Sequence, residues 1–272
     1  MKITSQSYYL PDVLAVEAHH ELPNSANKPL IITGIDKKSG TKNDYIVKLN
    51  GAERMHKEGR LREILAAFIA LELELDVVEP VVVDITDDFV RAQLGQDFYL
   101  KTSKSLGFNV GSKYIAKFIT LENDVSLTRQ QEEAAQYVFA FDLLIQNNDR
   151  NRLKPNMITD GNQLIMLDHE LAFGFHLVLS FLRNPKPWTF PDVDMVWVNQ
   201  HCLIKRLKNK HSQLDDFGKK MINLNDAFWV RCRELIPAEW MDEEIFISVK
   251  NHVDLINVNR EEFISNIKLI LS

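Results

Sequence analysis

Three oxygen-bearing side chains are spaced along one stretch of the second half of the chain. Asp149 and Asn156 lie seven positions apart in the polar segment NNDRNRLKPNMI, residues 147–158, and Asp168 follows twelve positions later in MLDHE. Carboxylate and carboxamide oxygens suit Mg²⁺, which takes a few protein oxygens together with phosphates and water. If the three side chains converge, they could orient a hydroxyl group and hold a metal ion, as phosphoryl transfer requires.

A lysine and a glutamate in the first half complete the set of side chains that phosphoryl transfer needs. Lys48 lies in the strand-like run YIVKLNG, and Glu63 lies in the helix-like run that follows, beside its apolar stripe. A strand lysine that contacts nucleotide phosphates and is held by a helix glutamate is the arrangement that kinases use. Taken singly, each of these side chains also suits a solvated face or a turn, so the argument depends on their ordered combination.

The elements that must position these residues change in character along the chain. The first half holds strand-like runs, such as KPLIITGI and YIVKLNG, joined by the turn-rich stretch DKKSGTKND and followed by an amphipathic helix pattern, HKEGRLREILAAFIALELELDV. The second half is mainly helical. The helix pattern SLTRQQEEAAQYVFAFDLLIQN has a candidate cap at Ser126 or Thr128, and the DG pair between NMIT and QLIML predicts a hairpin.

These patterns predict an α+β fold of two lobes. Residues 1–115 are expected to form a sheet-rich N-lobe, and residues 116–272 a helical C-lobe. The length of 272 residues suits one large domain or two closely joined lobes. No linker rich in Pro, Gly or Ser separates the lobes, so we expect them to share a cleft.

The composition indicates an ordinary globular protein and argues against one class of function. The chain is 45% hydrophobic and 26% charged, with a formal charge of -6. A protein that binds nucleic acid regardless of sequence needs a basic face, so direct nucleic-acid binding is disfavoured. The densest basic cluster is interpreted as a solvated helix face; it consists of Lys205, Arg206, Lys208 and Lys210.

Cysteine usage and hydrophobicity predict a cytoplasmic protein without a membrane span. Cys202 and Cys232 lack the spacing of a metal-binding pair and are expected to be unpaired. The N-terminal segment MKITSQSYYLPDVLAVEAHH lacks the long apolar core of a signal peptide. No run approaches the roughly eighteen apolar residues of a membrane-spanning helix.

The segments around the three polar residues resemble a known family. FAFDLLIQNNDRNRLKPNMI and LIMLDHELAF are similar to the HipA-like kinases, in particular the shorter branch that consists only of the kinase domain. Similar motifs occur in phosphatidylinositol kinases. KNDYIVKLNG also resembles the lysine strand of the family, RLREILAAFIALELELDVVEP its glutamate helix and next strand, and GFNVGSKY the segment before its hinge. The resemblance covers roughly residues 12–175, and the C-terminal third is similar only in helical character.

The resemblance implies a protein-kinase-like fold and an ATP- and Mg²⁺-dependent kinase that phosphorylates a serine or threonine of a protein. It implies that Asp149 is the catalytic aspartate and that Asn156 and Asp168 bind magnesium. It further implies that Lys48 contacts the phosphates and that Glu63 is its ion-pair partner.

The family resemblance also implies that the turn PNSAN, residues 23–27, is the flexible loop over the phosphates. The backbone N–H groups of Asn24, Ser25 and Ala26 could bind phosphate oxygens as a small anion nest. Three features depart from protein kinases. No G-x-G-x-x-G loop is present, DHE stands where protein kinases have D-F-G with no A-P-E after it, and the catalytic loop is two residues longer, which we interpret as a looped-out LK.

Two other functions compete with a protein kinase. A lipid or small-molecule kinase is the nearest, although the chain lacks the basic amphipathic helix that would favour a lipid substrate. The other is a nucleotide-binding pseudokinase that works as an interaction module, against which the complete set of five polar residues counts. HipA-type kinases can pair with a DNA-binding protein, so the resemblance also implies a surface for a regulatory protein partner.

Overall fold

Two compact units make up the computed structural model, which describes residues 1–23, 27–52, 56–123, 125–178 and 183–272. One unit comprises Tyr9–Arg60 and Val78–Ala116 and is built on strands. The other comprises Met1–Tyr8, Leu61–Val77 and Lys117–Ser272 and is built on helices. The fold is therefore mixed α and β, with a sheet-rich N-terminal region and a helical C-terminal region, as predicted. The assignment of lobes to residues 1–115 and 116–272 stays a prediction.

Five strands of the first unit form a closed barrel in the order β1-β2-β3-β5-β4. The strands are β1 (Asp12–Glu21), β2 (Leu30–Asp36), β3 (Lys42–Lys48), β4 (Pro80–Ile85) and β5 (Gly107–Lys113). The parallel pair β1–β4 closes the barrel, and the other neighbours are antiparallel. Gly111 allows β3 and β5 to approach, because a Cβ there would lie 2.8 Å from the carbonyl oxygen of Ile46. Two short helices, α2 (Asp87–Ala92) and α3 (Tyr99–Ser103), complete this unit.

Helices dominate the second unit. They are α1 (Lys57–Glu72, which belongs to this unit from Leu61 onward), α4 (Arg129–Leu144), α5 (Asp192–Val198), α6 (Leu214–Lys220), α7 (Asp226–Leu235), α8 (Glu243–Val258) and α9 (Arg260–Leu271). The unit also holds a three-stranded sheet of β6 (Ile119–Thr120), β7 (Met157–Thr159) and β8 (Ile165–Met166). Its N-terminal segment is attached by polar contacts: Thr4 donates to the carboxylate of Glu72 through its N–H at 3.2 Å and its hydroxyl at 2.7 Å.

Local sequence signals set the two elements that flank the polar segment. Thr128 caps α4 in a capping box with Gln131, in which each side chain accepts a hydrogen bond from the backbone N–H of the other residue. The DG hairpin is also present. Asp160 Oδ1 accepts the N–H groups of Asn162 and Gln163, each at 2.9 Å, and Gly161 has a φ of +96°, which glycine adopts without strain. Both features are confirmed as predicted.

The basic cluster at residues 205–210 was predicted to be a solvated helix face; Lys205 and Lys208 are exposed, as predicted, but residues 202–209 form turns and a bend rather than a helix. Contacts with distant residues hold these turns. Arg206 Nη2 donates to the carbonyl oxygen of Glu122 at 2.7 Å, and the N–H of Asn209 donates to the carbonyl oxygen of Leu271 at 2.6 Å. A charge pattern read along the sequence contains neither contact.

Both cysteines, which lie within the described residues, are free and buried. Burial raises the pKa of the Cys202 thiol to about 12 and that of Cys232 well above its ordinary value, so neither forms a thiolate near neutral pH.

Among the residues that the structure describes, no helix combines the length and the apolar character that crossing a bilayer requires.

Candidate active site

Helix α4 fixes the position from which the polar loop begins. Its last two turns carry apolar side chains that are fully buried, among them Phe139, Phe141, Leu143 and Leu144. Because these residues anchor the helix in the core, the chain leaves it at a defined place. Gln146 then adopts a left-handed conformation with a φ of +47°, and the loop leads to β7.

Asp149 and Asn156 meet across this loop, as the sequence predicts. The Nδ2 atom of Asn156 donates to Oδ2 of Asp149 at 3.3 Å, and the Nζ atom of Lys154 lies 3.4 Å from Oδ1. The Asp149 side chain is 14% exposed, so solvent can reach it. The contact uses the nitrogen end of the Asn156 carboxamide; a magnesium ion would need the oxygen end.

The β7–β8 hairpin brings the Asp168 segment to Asn156. The N–H of Leu167, just after β8, donates to the carbonyl oxygen of Asn156 at 3.1 Å. Asn156 and Asp168 both have left-handed backbones, with φ of +46° and +59°. Asn and Asp tolerate this region better than other residues with a Cβ, and such conformations collect at functional sites. The structure thus brings the side chains of Asp149 and Asn156 together and joins Asn156 to Leu167, the residue before Asp168.

Glu63 belongs to the same unit and reaches the segment after Asp168. Its Oε2 atom accepts the backbone N–H of His169 at 2.8 Å. Lys48 ends β3 in the barrel unit, where it pairs with Val110 of β5. The proposed ion pair between Lys48 and Glu63 stays a prediction.

The predicted phosphate-loop residues Asn24, Ser25 and Ala26 lie outside the described residues. The strands on either side of them are joined at Leu22, whose N–H donates to the carbonyl oxygen of Pro29 at 2.9 Å. Lys101 of α3 pairs with the carboxylate of Glu21 and donates to the carbonyl oxygens of Asn27 at 3.3 Å and Lys28 at 3.1 Å.

A buried polar network beneath the loop was missed from the sequence. Asp142, on the buried face of α4, accepts from Nε of Arg150 at 2.5 Å, from Nδ2 of Asn147 at 2.9 Å and from Nε2 of His201 at 2.9 Å. Nδ1 of His201 accepts the N–H of Leu203 at 3.1 Å, which leaves Nε2 as the ring nitrogen that donates to Asp142. Asn147 Oδ1 in turn accepts the backbone N–H of Asp149 at 3.4 Å.

Opposing effects act on the ionisation of Asp142. Burial alone would raise the pKa of this carboxyl group. The positive charge of Arg150 and the hydrogen bond from His201 outweigh burial, and the pKa lies below its ordinary value. Asp142 is therefore a carboxylate that is paired with a buried guanidinium.

Arg150 extends the network to the rest of the loop. Its Nη1 atom donates to the carbonyl oxygens of Pro155, at 3.3 Å, and Asn156, and its Nη2 atom donates to Nε2 of His169 at 3.0 Å. The His169 ring is buried and lies edge-on to Phe141, with 5.7 Å between ring centroids. One sequence signal for this network exists: Asp142 is a single charged residue inside the apolar run VFAFDLLI.

The donor set suits magnesium chemically. Among the described residues no group of three or more His, Cys, Asp or Glu side chains is placed to hold a metal ion. Magnesium does not require such a group, because it usually keeps several waters and is bound by one or two carboxylates and by substrate phosphates. One carboxamide and one carboxylate, at Asn156 and Asp168, fit that pattern.

Comparison with known proteins identifies the family. The model of the HipA-like kinase family matches residues 37–262, which is well over half of the chain. The match continues beyond residue 175, where the resemblance seen in the sequence became loose, and begins after the predicted phosphate loop. A search of curated proteins gives no match. The five predicted polar residues all lie inside the matched range, and the chain belongs to the HipA-like kinase family.

Proposed function

We propose that this chain is an ATP- and Mg²⁺-dependent kinase with a two-lobed, protein-kinase-like fold, and that it transfers a phosphoryl group to a serine or threonine of a protein. Membership of a kinase family makes phosphoryl transfer the expected chemistry. The observation that carries the proposal is the 3.3 Å contact between the Asp149 carboxylate and Asn156, beside the Asp168 segment.

Asp149 would accept a hydrogen bond from the acceptor hydroxyl and orient it for in-line attack. Its carboxylate is partly exposed, which an incoming substrate requires. The Lys154 ammonium group lies 3.4 Å from this carboxylate. It would partly neutralise the negative charge that gathers around the carboxylate during phosphoryl transfer. Displacement of the Asn156 contact by the hydroxyl would leave the amide free to turn its oxygen toward a metal ion.

Asn156 and Asp168 would hold magnesium through an amide oxygen and a carboxylate. When bound, magnesium neutralises the charge of the transferring phosphoryl group. Lys48 would contact the nucleotide phosphates, with Glu63 as its ion-pair partner. The backbone N–H groups of Asn24, Ser25 and Ala26 would cover the phosphates.

Incubation with γ-labelled ATP and Mg²⁺ tests the proposal. We expect label on the chain itself or on added protein, and none from Asp149→Asn. ATP that raises the melting temperature without any transfer of label would favour the pseudokinase, and label that partitions into added lipid would favour a lipid kinase. Either outcome would overturn the proposed activity.

The acceptor can be found by comparing phosphorylated proteins in cells that produce wild type or Asp149→Asn. Phosphoserine or phosphothreonine that appears only with wild type supports the substrate class. A regulatory protein partner is supported by the family resemblance alone, and co-purification of one protein with both variants would support it directly.

A further inference from the structure

Arg150 follows the catalytic candidate and is the largest charged side chain in the core of its unit, only 1% exposed. Removing a guanidinium from water costs several kcal/mol unless its hydrogen bonds are recovered. All three arms of this guanidinium find partners, in Asp142, in the loop carbonyls and in His169. We propose that Arg150 is a positioning residue that sets the geometry of the magnesium site, an inference that rests on the proposed kinase function.

The shape of the guanidinium allows one side chain to make all of these contacts. It is planar and presents five N–H donors in fixed directions, whereas a lysine presents one small ammonium group. Nε points to the carboxylate of Asp142, Nη1 to the carbonyl of Asn156 and Nη2 to His169. These partners lie on α4, on the loop before β7 and on the segment after β8. Arg150 therefore joins the two segments that carry the proposed metal ligands.

The backbone of Asn156 shows why this connection matters. Its left-handed conformation, with a φ of +46°, is strained for a residue with a Cβ and persists only where neighbouring groups hold it. Two donors hold its carbonyl oxygen: Nη1 of Arg150 and the N–H of Leu167. Without the first, the peptide is free to relax, and the carboxamide would leave the position beside Asp149. Arg150 also donates to the ring of His169, the residue that follows Asp168.

Arg150 is itself anchored by its hydrogen bond to Asp142 on α4. Asp142 accepts from Arg150, Asn147 and His201, so its carboxylate has three donors in a buried setting. Charge-assisted hydrogen bonds of this kind are about twice as strong as neutral ones. The anchor is on α4, whose apolar residues are fixed in the core, and this makes Arg150 a rigid support.

The competing explanation is that Arg150 only stabilises the fold. Both explanations predict that a substitution lowers the melting temperature. They differ in the gain in ATP affinity that magnesium gives to the molecules that are folded. A positioning residue changes that gain, and a residue that only stabilises the fold does not.

The test is calorimetric titration of ATP into full-length Arg150→Lys, in EDTA and in Mg²⁺, well below the melting temperature of the variant. Lysine keeps the positive charge opposite Asp142 but lacks the fixed, diverging N–H donors of the guanidinium. We expect the magnesium-dependent gain in affinity to fall about 10-fold to 100-fold, as for other residues that orient metal ligands, with ATP affinity in EDTA unchanged. Arg152→Lys is the matched control, because Arg152 is exposed in the same loop, and it should keep the wild-type gain.

A wild-type gain in Arg150→Lys would overturn the inference, even if the variant melts at a lower temperature. If Arg150→Lys does not fold, His201→Phe removes one donor to Asp142 and leaves Arg150 in place. An intermediate loss of the magnesium-dependent gain would support the inference, and an unchanged gain would overturn it. Failure of the proposed function is distinguishable, because wild type would then transfer no label from γ-labelled ATP, whatever gain in ATP affinity magnesium gives it.

Discussion

Asp149→Asn and Asp168→Asn should separate the two roles proposed for these aspartates. Both substitutions keep the shape of the side chain and remove its charge. Asp149 would contact the acceptor hydroxyl mainly in the transition state, so its loss should lower kcat while Mg–ATP affinity stays near that of wild type. Asp168 would bind the metal that bridges the phosphates, so its loss should weaken nucleotide affinity and turnover together.

The structure sets the size of the effects expected at Asp149. Loss of a group that orients the hydroxyl or takes its proton lowers the rate about 10²-fold to 10⁴-fold, or roughly 3–5 kcal/mol. The cost in stability should be much smaller. Its partners Lys154 and Asn156 lie at 3.4 and 3.3 Å, and an ion pair whose lysine is half-exposed, as Lys154 is, contributes at most about 1 kcal/mol. Asp149→Asn should therefore melt within about 4 °C of wild type.

Asp168→Asn should also keep its backbone, because asparagine tolerates the left-handed φ of +59° as well as aspartate does. The assay is calorimetry of Mg–ATP binding beside phosphotransfer from labelled ATP. Asp160→Asn is a suitable control, since Asp160 is exposed in the β7–β8 turn and an amide oxygen can still accept its backbone donors. Wild-type activity in both test variants would refute the kinase reasoning, and equal loss of Mg–ATP affinity in both would refute the division of roles.

Three further outcomes are expected. Lys48→Met should weaken Mg–ATP binding about 10-fold or more, and Lys42→Met, at the other end of β3, should not; equal affinities would remove Lys48 from the site. The melting temperature should be the same with and without reductant, because both cysteines are free; a fall under reductant would show a disulfide. Burial lowers the pKa of His252 from 6.5 to about 4, so the free energy of unfolding should decrease by up to about 3 kcal/mol as pH falls from about 6.5 to 4. His252→Gln should remove this part of the pH dependence of the unfolding free energy, measured by denaturant titrations at several pH values. An unchanged pH dependence would contradict the assignment.

Features that depend on neighbouring residues could be predicted from the sequence. The capping box at Thr128 needs only a residue three positions away, and the hairpin turn needs only the Asp160–Gly161 pair. The contact between Asp149 and Asn156 closes a short loop between a helix and a hairpin that the sequence itself indicates. These are local arrangements in which chain geometry leaves few alternatives.

The supporting network could not be predicted, because its partners are far apart in the chain. His201 donates to Asp142 across 59 positions, and Glu63 accepts from His169 across 106. Periodicity and turn patterns act over a few residues and contain no information about such pairs. The charged residues beside His201 were read as a helix for the same reason, since contacts with distant residues hold those turns.

The length of the polar loop shows which of these contacts bring Asp149 and Asn156 together. The separation of Asp149 and Asn156 is two residues longer than in protein kinases, yet their side chains meet at 3.3 Å. Leu153 in the extra length is turned outward: Asn151 Oδ1 accepts its N–H at 2.9 Å and its side chain is 94% exposed, whereas the Lys154 ammonium group lies 3.4 Å from Asp149. The inner side is held at both ends by the buried Arg150. Because a closed loop absorbs added residues at little cost when its ends are fixed, the hydrogen bonds at the ends, rather than the number of residues between them, define this site.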